Sequence, residues 1–177
     1  MILSFYSLES FSHEKVMSAD RRTKVQNGLA YCMDSMSKIV SMANGNVNNP
    51  PIKLYPDAGP YTGFQVRVDL NNPQTPTDLS DDEWAYFTIS GNELSSGGTT
   101  LPAEVLSGKV VANFNNSTMP ISPTDGFYVE VDPLGLYVDI GLVGRYYPDR
   151  VPTLETRLTN PQVSMKTKVF CNNSSSN

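Results

Sequence analysis

The densest chemistry in the sequence is a run of oxygen ligands, Asp69, Asn71, Asp78, Asp81, Asp82 and Glu83, in one stretch interrupted by Pro73 and Pro76. Carboxylate and amide oxygens are what a hard cation takes, so Asp69, Asn71, Asp78, Asp81 and Asp82 form a candidate Ca²⁺ set. The spacing is not that of an EF-hand: the sixth position counted from Asp69 is Gln74 rather than glycine, and the twelfth is Ser80 rather than glutamate. The competing reading is a solvated acidic loop in which Asp81 caps a short turn. Paired carboxylates also serve glycoside hydrolysis, but that chemistry needs a set separation, and nothing here fixes one. Beyond the Ca²⁺ candidate, no cofactor is expected.

Other chemistry-bearing residues are sparse. The single histidine, His13, stands beside Glu14 and Lys15 and reads as a surface residue. Ser107-Gly108 and Ser95-Ser96-Gly97-Gly98 have neither the lysine spacing of a phosphate-binding loop nor a Gly-x-Ser-x-Gly elbow, so they read as turns. Tyr146-Tyr147-Pro148, with Tyr128 and Tyr137, can form an aromatic surface for sugars or a partner protein, or can serve cross-strand pairing on an outward sheet face. One histidine and two cysteines leave little from which to assemble a zinc site or a nucleophile triad. The chain is therefore read as a non-enzyme.

A net charge of -5 and a pI near 4.8 provide no basic field for phosphates, so nucleic acid is not an expected partner. With 39% hydrophobic and 18% charged residues the chain is foldable rather than disordered. At 19.5 kDa it fits one domain, 1–177, that buries ~70% of its unfolded surface.

The elements that must position these residues are of two kinds. From about Leu3 to Ala43 there is no proline, and Val25, Leu29, Cys32, Met36, Ile39 and Ala43 recur at spacings of four and three. That pattern predicts one helix within 1–45, about 60 Å long, whose second half is amphipathic. Followed backwards, the same seam meets Arg22, Ser18 and Lys15, so the first half is expected to protrude. Asn44-Gly45-Asn46 is expected to end the helix with a left-handed cap, and Gly28 marks a close approach or a bend. Residues 46–172 read as a β-head. Strands are expected at Phe64–Asp69, Trp84–Ser90, Leu94, Val105–Phe114, Phe127–Val131, Leu136–Leu142 and Val163–Cys171. One sheet face is expected to be wet, and 173–177 a polar tail that frays. An antiparallel sheet with one apolar face needs a cover, and the Val25–Ala43 stripe is the one available. The fold class expected is α+β.

One long helix laid on an antiparallel sheet resembles the type IV pilin-like fold, and local sequence agrees. The stretches Ser18-Ala19-Asp20-Arg21-Arg22-Thr23-Lys24-Val25-Gln26-Asn27-Gly28-Leu29 and Met33-Asp34-Ser35-Met36-Ser37-Lys38-Ile39 are similar to the helix of PilW-type minor pilins and of the J-type minor pseudopilin of type II secretion. Phe64-Gln65-Val66-Arg67-Val68-Asp69-Leu70-Asn71, Glu83-Trp84-Ala85-Tyr86-Phe87 and Gly91-Asn92-Glu93-Leu94 resemble that group's acidic loop and following strand. Asn160-Pro161-Gln162-Val163-Ser164-Met165-Lys166-Thr167-Lys168-Val169-Phe170 resembles its terminal strand. The resemblance implies a structural subunit of a pilus or secretion filament in the bacterial envelope, with a periplasmic or extracellular head. It further implies that a leader and an apolar membrane anchor precede Leu3, with Met1 in their place. Phe5, Tyr6, Leu8 and Phe11 would then meet neighbouring pilin or pseudopilin subunits. The alternative is a secreted or virion-surface β-protein that binds a carbohydrate or protein ligand, and a hydrolase comes third.

Cys32 falls on the core-facing helix seam and Cys171 on the core-facing side of the last strand, so both point into one layer. They are candidates for a disulfide, or for two separate buried thiols.

Overall fold

In a computed structural model the described residues are 2–46, 48–56, 61–70, 75, 78–105, 126–150, 159–171 and 173–175, with side chains from Phe11 onward except at Glu104 and 173–175. The architecture is α+β, one N-terminal helix with antiparallel sheets. Helix α1 (Ile2–Ser41) runs unbroken for 40 residues. No proline interrupts it, and its length follows from that together with the burial of its second half.

Its end differs from expectation. Met42 N–H donates to the Ile39 carbonyl at 3.1 Å, Ala43 N–H to Val40 at 3.0 Å, and Ser41 Oγ to Lys38 at 2.7 Å. These tightened bonds satisfy the last carbonyls without a left-handed glycine. Asn44–Asn46 instead forms β1, which pairs in parallel with β10 (Asn173–Ser175). The tail expected to fray is thus partly held by backbone pairing next to the helix exit, where the end of the chain returns.

Strands β2 (Ile52–Tyr55), β3 (Gly63–Val68), β4 (Glu83–Ser90), β5 (Glu93–Ser96) and β6 (Thr99–Glu104) form an antiparallel meander in chain order. Strands β7 (Phe127–Val131), β8 (Tyr137–Arg145) and β9 (Gln162–Phe170) form a second antiparallel sheet. A bridge between Val105 and Gly144 links the two. The β5–β6 turn places Gly97 and Gly98 at φ of 55° and 83°, the two positive values that a tight hairpin of matching twist requires. Of the strand expected over Val105–Phe114, Val105 forms a bridge to Gly144 and 106–114 fall outside the described residues; β6, on the run before it, was not expected.

Burial bears out the helix seam. Leu29, Cys32, Met36, Val40 and Ala43 are fully buried, with Val25 and Ile39 partly so. They meet Phe64, Phe87 and Phe127, whose rings pack at 5.1 and 6.2 Å around Phe64, and the inward row Val129, Val138, Ile140 and Leu142.

The expectation of a wet face fails at two strands. All six residues of β3 are buried: the strand is flanked by β2 and β4, and on its polar side Lys53 and Arg67 lie over the Trp84 ring at 5.2 and 5.0 Å. On β8, Asp139 and Val143 are buried although they point away from the helix-side row. Neighbouring long side chains cover a central strand, so alternation of residue type understates its burial.

Gly28 marks a close approach. A Cβ there would stand 2.7 Å from the Pro102 carbonyl oxygen and 3.4 Å from Ala103 Cα, both backbone atoms of β6. Gly28→Ala would ordinarily stabilise a helix by about 1 kcal/mol. Here the added methyl must push α1 off β6, at an overpacking cost of about 1–3 kcal/mol. The expected outcome is a lower urea midpoint than the parent; a raised midpoint would show that the contact yields freely.

Candidate functional site

The acidic stretch uses its carboxylates as hydrogen-bond acceptors. Buried Asp69, just past β3, accepts the Thr75 N–H, and Asp81 accepts the Thr75 hydroxyl at 3.0 Å. Asp78 accepts the Ser80 N–H and hydroxyl at 3.0 and 2.6 Å. Asp82 accepts the Asn44 side-chain amide at 3.3 and 3.2 Å, tying the loop to the helix exit. Among the described residues no group of three or more His, Cys, Asp or Glu side chains is arranged to hold a metal, and Asn71 lies outside those residues. Desolvation holds the Asp82 carboxyl above its ordinary value; the Asn44 hydrogen bond opposes this, and the Asp69 carboxylate adds to it.

The four tyrosines divide into two groups. Tyr128 and Tyr137 belong to the second sheet's outer side, with Lys166 and Lys168 over their rings at 5.4 and 3.9 Å. The Tyr128 hydroxyl donates to Glu130, and Lys168 pairs with Asp139 at 3.2 Å, so these rings serve cross-strand packing. Tyr146 and Tyr147 follow the far end of β8, about 30 Å along the strand from Tyr137. A single four-tyrosine surface therefore does not form.

At that far end lies a groove of about 800 Å³, bounded by the Lys24–Gly28 part of α1, by β6, and by the turn after β8. Tyr146 and Tyr147 meet edge to face at 4.7 Å. Their turn is clamped by buried Asn160, which accepts the Tyr147 N–H at 2.7 Å and donates to the Tyr147 carbonyl at 3.0 Å. Arg21 and Lys24 of α1 stand 5.0 and 5.4 Å from the Tyr146 ring, and Arg150 stands 4.4 Å from Tyr147. Arg21 also donates to the Thr159 carbonyl at 2.6 Å. The polar middle of the helix, which the heptad-like seam leaves without a partner, is held here by cation–π contacts and a hydrogen bond.

Sequence reasoning missed Arg145. It occupies an outward position at the end of an apolar strand, and a lone arginine there carries no motif. The residue is 8% exposed, and its guanidinium donates to the Arg150 carbonyl at 2.8 Å and to Gln162 Oε1 at 2.6 Å. Its Nε has no acceptor among the described residues.

On the first half of α1, Phe11, Val16 and Met17 are 51%, 65% and 41% exposed, with Lys15 over the Phe11 ring at 4.5 Å and His13 exposed. The side chains of Phe5, Tyr6 and Leu8 lie outside the described residues, although the helix backbone includes them. Cys32 and Cys171 are both buried, and no disulfide joins them. Burial pushes each thiol up to about 11, with Asp132 adding to the effect at Cys171.

No protein-family model, no curated protein and no solved structure matches the chain.

Because both thiols stay protonated at pH 8, an exposed-thiolate reagent should label the native protein negligibly. In urea without reductant, two thiols per chain should react; none reacting would establish the Cys32–Cys171 bridge instead. Asp82 yields a pH-dependent expectation. Its folded-state pKa lies above the unfolded value of ~3.9, so ionisation opposes folding once the pH exceeds that value, and fully so above the folded pKa. Asp82→Asn, which keeps an acceptor for Asn44, should be slightly more stable than the parent at pH 7. That advantage should vanish as the pH falls through the folded pKa to about 3 in paired thermal melts.

Proposed function

We propose that this chain is a non-enzymatic structural subunit, a minor pilin or pseudopilin of a type IV pilus or type II secretion-like filament in the bacterial envelope. The observation that carries this reading is the division of α1 into a half buried on the sheets and a half that extends away with Phe11, Val16 and Met17 in solvent. A helix half with no core of its own gains little from propensity, so its apolar side chains are best accounted for by burial against other helices. The helix-on-sheet arrangement and the local sequence resemblance point the same way. In this reading Phe5, Tyr6, Leu8 and Phe11 dock on the helices of neighbouring subunits, and the β-head stays outside the helical bundle. No described helix is long and apolar enough to cross a membrane; the pilin-like reading carries the expectation of an anchor encoded in the upstream sequence. That sequence should encode a short basic leader and about 20 apolar residues; an upstream region without them would favour the secreted β-protein alternative.

The two halves of α1 should fail differently. Leu29→Asp places a charge in a fully buried site and should cost about 3–5 kcal/mol in a urea melt of this chain. Phe11→Asp and Leu8→Asp should leave the melt nearly unchanged, while removing the full-length protein from filaments sheared off the cells. Loss of stability in Phe11→Asp equal to that in Leu29→Asp would place the first half in the core and end the assembly reading.

A further inference from the structure

The groove beside Tyr146 and Tyr147 has a charge inventory at odds with the rest of the chain. The protein carries a net charge of -5, yet Arg21, Lys24, Arg145 and Arg150, four of its 13 Lys and Arg residues, gather here. Of the two carboxylates on the groove wall, Asp149 accepts a hydrogen bond from the Asn92 amide, while Glu93 stands exposed. Arg145 forms no ion pair among the described residues, and its buried Nε points to a missing acceptor. A guanidinium held out of water without a counter-charge is destabilising, and a carboxylate supplied from outside would remove that penalty. Burial also lowers the Arg145 pKa, in keeping with an uncompensated cation.

The groove's dimensions and walls narrow the ligand. A single oxyanion would leave most of about 800 Å³ empty. Stacked sugars are disfavoured because cations already lie against Tyr146 and Tyr147. Pro102 deprives the β6 wall of a backbone donor, so recognition by strand addition is interrupted and side-chain charge must carry it. We propose that this groove binds an acidic peptide segment of a protein partner, whose carboxylates are taken up by Arg145, Arg150 and Lys24. The site lies between the head and the Lys24–Gly28 part of α1, and its binding does not depend on what Phe5, Tyr6, Leu8 and Phe11 dock against.

A fluorescent hexaglutamate peptide tests this by anisotropy at low salt with the whole chain. Saturable one-to-one binding is expected. Lys24→Glu/Arg150→Glu, both at exposed positions, should weaken it by about tenfold or more. Lys15→Glu/Lys166→Glu makes the same change in net charge away from the groove and should alter binding by no more than about twofold. Equal losses in the two double variants would reduce the binding to bulk charge and overturn the proposal. Hexaglutamine binding as tightly as hexaglutamate would overturn it too. Displacement of the peptide by inorganic phosphate at matched charge concentration would make the groove a small-anion site and overturn the peptide assignment.

Discussion

The contact between the second half of α1 and the two sheets is the constraint on which the rest of the structure depends. Leu29, Cys32, Met36 and Val40 supply a stripe with no exposed surface, and the inward rows of both sheets close around it. Gly28 lets the helix axis approach the β6 backbone, because any larger residue would collide with the Pro102 carbonyl. Among the described residues the Val105–Gly144 bridge is the backbone pairing between the two sheets, and the helix, together with the Phe64–Phe127 contact, joins them in one core. Without it each sheet would expose an apolar face.

The same contact determines where polar residues can be buried. Arg67 lies over Trp84 and donates to the Pro50 carbonyl at 3.4 Å, and Asn160 fastens the turn after β8 by hydrogen bonds to backbone. Asp82 joins the acidic loop to the helix exit through Asn44. Each is a polar group brought near the core by a strand end or a loop and satisfied there, as buried polar groups must be. Arg145 departs from that pattern at one nitrogen, at the wall of an open groove.

A helix divided this way separates stability from association. Its inner half is buried in the core, and its outer half holds Phe11, Val16 and Met17 exposed. In the pilin-like reading proposed for this chain, that separation lets a subunit fold before it docks. The cationic groove lies where the two halves meet, held to the helix by Arg21 and Lys24, so a ligand there would reach both the head and α1.

What the sequence determined by itself was local periodicity and punctuation. Absence of proline and the four-and-three spacing fixed α1 and its buried seam, period-two alternation located β3, the β7–β8 hairpin and β9, and an aromatic, β-branched run ending in a turn located β4, all close to their observed bounds. These features were readable because each segment's own residues decide which face is apolar. Tertiary structure decided whatever depends on segments far apart in the chain. Thr99–Glu104 became a strand because β5 and the helix were there to accept it, with Leu101 and Ala103 turned into the core, although Pro102 interrupts the run. Asn173–Ser175 became a strand because Asn44–Asn46 offered an edge. Tyr146 and Tyr147 parted from Tyr137 because they lie at opposite ends of β8, while Tyr128 sits on β7 opposite Gly141, in the middle of that strand. Arg145 acquired its importance only when the chain closed around it, since burial and an Nε without an acceptor among the described residues are properties of an environment, which no single stretch of sequence contains.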